Sequence, residues 1–257
     1  MTARALTVRG LTKRYGGVTA VSEASFDVQA GEIHGLIGPN GAGKSTMLGL
    51  ISGFVPADEG SVRYGDEELV GTSALRTVRA GVSRTFQEAT PLKGLSVFDN
   101  VLVGLHTHGR TGVLSQVLRT GALRRDERRL ADRALALLEK VGITADPRTD
   151  AADLSFGQLR FLEIARALAT APSLLLLDEP AAGLNQVETE RLGALIGEIR
   201  AEGTGVLLID HDVPFVFGTC DRITAIDFGR IIASGTADEI EAHPTVRAAY
   251  LSVETEN

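Results

Sequence analysis

The segment Gly38-Pro39-Asn40-Gly41-Ala42-Gly43-Lys44-Ser45-Thr46 follows the strand-like run Glu32 to Ile37 without a spacer and leads into a helix-like stretch from Thr46 to Ser52. Strand, glycine turn and helix in that order confine the chain to folds in which a buried strand ends at a phosphate-binding loop. The glycines let successive backbone N–H groups curl around a β-phosphate without side-chain clashes, at a helix N-terminus whose dipole favours anions. Lys44 is expected to reach the β- and γ-phosphates, and Ser45 to ligate Mg²⁺ through its hydroxyl. Kinases, GTPases and other ATPases share this pattern. The loop therefore specifies a nucleotide and leaves its purpose open.

Two further motifs narrow that purpose. Leu174-Leu175-Leu176-Leu177 suits a strand buried on both faces, and Asp178 falls where such a strand emerges at its phosphate-facing end. There Asp178 can hold Mg²⁺ through water, while Glu179 is placed to orient or deprotonate the attacking water. Alone, Asp178-Glu179-Pro180 reads equally well as a polar strand end and turn; the phosphate loop upstream favours paired acids with separate jobs. In Leu154-Ser155-Phe156-Gly157-Gln158, Ser155 opens a predicted helix from about Gly157 to Thr170. A serine hydroxyl, a glycine that exposes backbone and a helix N-terminus make a second anion site. Ordinary N-capping by Ser155 explains the same residues.

Composition limits the setting. With 257 residues the chain is one large domain or a domain with a lobe. A formal net charge of −7 argues against a general nucleic-acid binder. The apolar runs are far too short to span a bilayer, so membrane contact is expected through a partner. Cys220 is the only cysteine, which excludes an internal disulfide, and Met1-Thr2-Ala3-Arg4 leads into strand-like sequence without a secretory signal. Both point to a reducing cytoplasm.

The alternation of elements predicts an α/β fold. Ala5 to Val8 and Ala24 to Val28 read as antiparallel strands, and residues 88–165 as helix-like, with segments at Asn100 to Leu105, Leu114 to Leu118 and Asp126 to Val141. Leu174 to Leu177 and Gly205 to Ile209, separated by a helix over about Gln186 to Arg200, imply a mostly parallel sheet. A hairpin is expected over Arg222 to Ser234, turning at Asp227-Phe228-Gly229, and Thr236-Ala237-Asp238-Glu239 is a capping box before a terminal helix. The expected division is a core over 1–88 and 166–235, a helical lobe over 89–165, and a C-terminal helix over 236–257. Seven arginines (Arg110, Arg119, Arg124, Arg125, Arg128, Arg129 and Arg133) make the lobe locally basic, with interleaved acids that favour a solvated face.

Leu154 to Gln158, with the following Arg160-Phe161-Leu162-Glu163-Ile164-Ala165-Arg166-Ala167-Leu168, resembles the signature motif of ATP-binding cassette ATPases. That resemblance implies a P-loop core with an N-terminal antiparallel β subdomain and an inserted helical subdomain. It implies that Tyr15 stacks on adenine, that Gln87 touches Mg²⁺ and the attacking water, and that His211 contacts the γ-phosphate. Two cassettes then meet head to tail, so that Ser155, Gly157 and Gln158 act on ATP held by a second, homologous or identical subunit. Asp178 to Asn185, the insert over about His106 to Arg133, and the ending from Gly235 through Arg247-Ala248-Ala249-Tyr250-Leu251 resemble the ATPases of branched-chain amino acid importers, in particular the larger of their two cassette subunits. Integral membrane permeases, a solute-binding protein reached indirectly, and a place on the cytoplasmic face of the membrane follow from that likeness.

The pattern departs from the superfamily at Phe156, where glycine is commoner, at Asn185, where aspartate is common, and at Asp210, which sets carboxylates on both sides of His211. Import of urea or amides and export of lipopolysaccharide fit the same hydrolytic motifs. A soluble cassette ATPase acting on ribosomes or DNA is disfavoured by the single cassette and by the lack of a long coiled coil or basic extension.

Overall fold

The computed structural model describes residues 4–85, 90–105 and 121–248. The chain divides into two compact units, residues 1–87 with 173–257, and residues 88–172. In the first unit, an antiparallel sheet has the order β2-β1-β4-β5, from β1 (Leu6–Tyr15), β2 (Val18–Val28), β4 (Glu59–Tyr64) and β5 (Glu67–Glu68). Leu6, Val8, Leu11, Val21, Phe26 and Val28 are buried, which accounts for the alternation visible at both ends of this hairpin. The strands run well beyond the short runs expected, to a turn at Tyr15↔Val18.

The second sheet of this unit has the order β10-β9-β3-β8-β7-β6 and is parallel except for the β9–β10 pair. It comprises β3 (Ile33–Ile37), β6 (Val82–Arg84), β7 (Leu174–Asp178), β8 (Gly205–Ile209), β9 (Arg222–Asp227) and β10 (Arg230–Gly235). Every residue of β3, β7 and β8 is buried; β8 and the leucines of β7 read as continuous apolar runs, while β3 carries the buried His34 and β7 ends in the buried Asp178. Helices α1 (Lys44–Ile51) and α2 (Ala74–Ala80) also belong to this unit.

The second unit holds α3 (Val97–Leu105), α4 (Gly121–Lys140) and α5 (Phe156–Ala169). The expected boundary between residues 165 and 166 falls inside α5, and the compact unit continues to Pro172. A side chain on Gly104 would lie 2.5 Å from the carbonyl oxygen of Arg166 and 2.7 Å from Ala169, so the end of α5 packs against α3. On α4, Ala134 and Leu138 are buried while Arg125, Arg128, Arg129 and Arg133 are exposed, so these four arginines lie on a solvated face; Arg110, Arg119 and the side chain of Arg124 are outside the described residues. The segment Leu114 to Leu118 lies outside the described residues.

The helix α6 (Gln186–Ala201) and α7 (Val213–Thr219) complete the alternation in the first unit. The helix expected over 236–257 is broken. α8 (Ala237–Ala242) ends at His243, in extended conformation before Pro244, and α9 (Pro244–Val246) starts anew. Steric conflict with the proline ring drives the preceding residue out of the helical region. Tyr250 and Leu251 lie outside the described residues.

Candidate nucleotide site

The glycine loop joins the end of β3 to α1. Gly38 is buried, and a side chain there would run into the carbonyl oxygen of Ile226 on neighbouring β9. Gly43 precedes α1 at φ 103° and ψ 6°, a left-handed conformation, and a side chain would strike the carbonyl oxygen of Ala20. Glycine is required at both positions for different reasons. The β9–β10 turn holds the loop from outside, with the Gly229 amide donating to the Ala42 carbonyl at 2.9 Å. Asn40, Gly41 and Ser45 remain exposed, and Pro39 and Thr46 are half-buried.

Lys44 is buried and folds back on the loop, its Nζ donating to the carbonyls of Gly38 at 2.6 Å and Pro39 at 3.0 Å. Burial pulls its pKa below the ordinary lysine value, against the opposing pull of Glu179, Asp178 and Asp210. Three carboxylates therefore attract the ammonium of Lys44, and the first unit brings the loop, the acidic pair and the segment after β8 together.

Asp178, at the end of β7, is 1 % exposed. Its Oδ2 accepts from Arg84 Nη2 at 2.8 Å, and Arg84 Nη1 donates to Ser52 Oγ at 3.2 Å. Its Oδ1 is buried and has no hydrogen-bond partner. A buried carboxylate oxygen without a donor is costly, so a hydrated cation at this point would satisfy it. Glu179 follows at φ 47°, unusual for a side-chain-bearing residue, with its amide donating to the Ile209 carbonyl at 2.8 Å. Its side chain is 17 % exposed, and Oε2 lies 3.8 Å from Nδ1 of His211, whose ring is 58 % exposed.

Tyr15 is half-exposed at the end of β1, with Lys13 Nζ 5.4 Å from its ring centroid. Its hydrophobic face is thus open to a flat ligand. Gln87 lies outside the described residues. Ser155, Gly157 and Gln158 belong to the second unit. Ser155 Oγ accepts from the Gln158 amide at 3.3 Å, and Gln158 Oε1 accepts from the Ser155 amide at 3.1 Å, a reciprocal capping box for α5. Capping uses a lone pair of the serine hydroxyl and leaves its proton available for an acceptor. Phe156 is exposed, its ring 5.6 Å from the Arg160 guanidinium carbon. Asn185 caps α6 in a second capping box with Glu188, its Oδ1 accepting from the Glu188 amide as an aspartate would.

Sequence reasoning missed Arg84 as the partner of Asp178 and the contacts of Asp210. An arginine in a polar segment reads as surface, and only the pairing of β6 with β7 reveals its placement.

A phosphate loop, an acidic strand end and a histidine after the adjacent strand, on a mostly parallel sheet in a chain that also carries a separate helical unit, define an ATP-binding cassette ATPase. The chain belongs to the ABC transporter family, whose model matches residues 21–182. A narrower model, described as the branched-chain amino acid ATP-binding cassette transporter, matches residues 230–251. The chain is 41% identical over 247 residues to the high-affinity branched-chain amino acid transport ATP-binding protein LivG of Escherichia coli (strain K12), covering 96% of this chain and 97% of the relative. It is 42% identical, with the same coverage, to the counterpart BraF of Pseudomonas aeruginosa. Among solved structures, a nucleotide-free ATP-binding cassette from an ABC transporter superposes with a TM-score of 0.83 at 30% identity, covering 96% of this chain and 98% of that one. The ADP conformation of an ATP-binding cassette superposes with a TM-score of 0.82 at 29% identity and the same coverage.

Proposed function

We propose that the chain is the ATP-hydrolysing subunit of an importer for branched-chain amino acids. The observation that carries this reading is the likeness, over 96% of the chain, to transport ATP-binding proteins named for that cargo. In this reading the loop over residues 38–46 holds the phosphates of ATP through the N–H groups of its residues other than Pro39 and through Lys44, and Tyr15 stacks on the adenine. Lys44 then exchanges the loop carbonyls for phosphate oxygens. Glu179 takes the proton of the attacking water, and His211, with its exposed ring close to Glu179, contacts the γ-phosphate. Gln87, outside the described residues, contacts Mg²⁺ and the attacking water in this reading.

The Ser45 hydroxyl, Asp178 Oδ1 and Gln87 are oxygen donors of the kind Mg²⁺ takes. Among the described residues no cluster of three or more His, Cys, Asp or Glu side chains could hold a metal alone, so phosphate oxygens and water complete the shell. When bound, Mg²⁺ neutralises charge on the β- and γ-phosphates.

A second cassette supplies Ser155, Gly157 and Gln158 to the exposed side of the ATP, and its closure and release pass to permease subunits. Among the described residues no helix is long and apolar enough to cross a membrane, so those subunits bring the pore and this chain docks at their cytoplasmic face. A solute-binding protein chooses the cargo. Purification of the tagged chain in detergent tests the reading: integral membrane proteins and a second cassette are expected to accompany it. Recovery with ribosomes and without membrane subunits would contradict it.

A further inference from the structure

The carboxylate of Asp210 lies at the end of β8, is 0 % exposed, and accepts from three backbone amides on two segments. Oδ2 accepts from the Ala181 amide at 2.9 Å, two residues after Glu179; Oδ1 accepts from the amides of His211 at 2.8 Å and Asp212 at 3.1 Å. The same oxygen is 3.6 Å from His211 Nδ1. Among side chains only a carboxylate offers this: both its oxygens are acceptors when ionised, whereas an amide must turn an NH₂ toward one of the two segments.

The backbone at Glu179 explains why such a clamp is needed. A glutamate at φ 47° is in a sparsely populated region, and such a conformation persists only where its surroundings over-determine it. Two hydrogen bonds to the end of β8 restrain it, the Ile209 carbonyl accepting from the Glu179 amide and Asp210 accepting from the Ala181 amide, beside the local bond from the Ala182 amide to the Glu179 carbonyl at 3.2 Å. The other arm of Asp210 fixes the start of the segment carrying His211, and Asp212 then caps α7 through the Phe215 amide at 3.0 Å.

We propose that Asp210 is a positioning residue that locks Glu179 and His211 into one rigid constellation, so that neither side chain moves relative to the γ-phosphate without the other. This rests on the reading of Glu179 as the base and His211 as the γ-phosphate contact. Asp210 acts through the backbone that carries these two side chains.

Steady-state ATP hydrolysis and nucleotide binding by Asp210→Asn test the inference. The amide variant is expected to lose at least about tenfold in kcat while KM and ADP affinity stay within about threefold, because only transition-state geometry is disturbed. Asp210→Glu, which restores two acceptor oxygens, is expected to recover turnover to within about fivefold of the parent. Wild-type turnover by Asp210→Asn, or ADP affinity falling in proportion to rate, overturns the inference. Should the amide variant not fold, amide hydrogen exchange on the parent chain decides. Ala181 and His211 are expected to be protected at least about a hundredfold, and free-chain exchange at either overturns the clamp. Glu179→Gln run alongside separates the two levels: full turnover there removes the underlying assignment, whereas loss there with normal Asp210→Asn removes only this inference.

Discussion

Replacing Arg84 by Met isolates the buried charge of Asp178. Asp178 Oδ2 has the guanidinium at 2.8 Å, and Oδ1 has no partner at all. With Arg84 gone, a carboxylate that is 1 % exposed loses its hydrogen-bonded cation and keeps only the attraction of Lys44. Removing one partner of a buried pair costs about 3–5 kcal/mol, and the lower end applies because the arginine side chain is 12 % exposed and solvent relieves part of the loss. At about 2–4 °C per kcal/mol for a unit of this size, Tm in EDTA is expected to fall by about 6–12 °C. Arg84→Lys keeps the charge but cannot reach both Asp178 and Ser52, and falls between. A cation facing Asp178 offsets the missing arginine, so Mg²⁺ with ADP should raise Tm of Arg84→Met more than that of the parent. Thermal unfolding with and without Mg²⁺–ADP is the assay. A variant within about 2 °C of the parent in EDTA would refute the argument that this pair is a buried, interdependent one.

Three other perturbations separate catalysis from stability. Glu179→Gln is expected to bind ATP with parental affinity and to lose at least about a hundredfold in phosphate release; normal release would remove Glu179 as the base. Burial pushes the Cys220 thiol well above its usual range, with Asp221 and Glu32 adding to the effect. At pH 8 a maleimide should therefore modify it at least about a hundredfold more slowly in the folded chain than in urea, and equal rates would contradict its burial. Burial pushes the Glu32 carboxyl up, but hydrogen bonds from the His34 ring at 2.9 Å and the Gln29 amide at 2.7 Å outweigh it, so the group titrates below its usual range. A depressed carboxyl stabilises the fold above its unfolded pKa and loses that contribution as pH falls through the folded value. The Tm advantage of the parent over Glu32→Gln should thus shrink as pH drops below about 4.3, and a constant difference from pH 7 to pH 3 would contradict this.

The elements legible in the sequence are those whose cause is local. The four leucines before Asp178 announce a strand covered on both faces, and the capping boxes at Thr236 and Ser155 mark helix starts because cap and partner are three residues apart. β6 is three residues long, and β4 begins Glu59-Gly60-Ser61; neither offers an apolar pattern, and both exist through pairing with distant strands. Strand order, which sets β3 between β8 and β9, is likewise a long-range property. At the site, the glycine loop and Asp178-Glu179 were readable as motifs, whereas Arg84 and Asp210 were not. Their significance lies in partners 94 and 29 residues away in the chain, to which spacing gives no clue.

Uptake of radiolabelled leucine, isoleucine and valine by cells lacking this chain tests the central claim most directly. Restoring the chain should restore concentrative uptake of all three, and restoring it as Glu179→Gln should not. Unimpaired uptake in its absence, or a defect confined to urea or to lipopolysaccharide at the cell surface, would contradict the assignment.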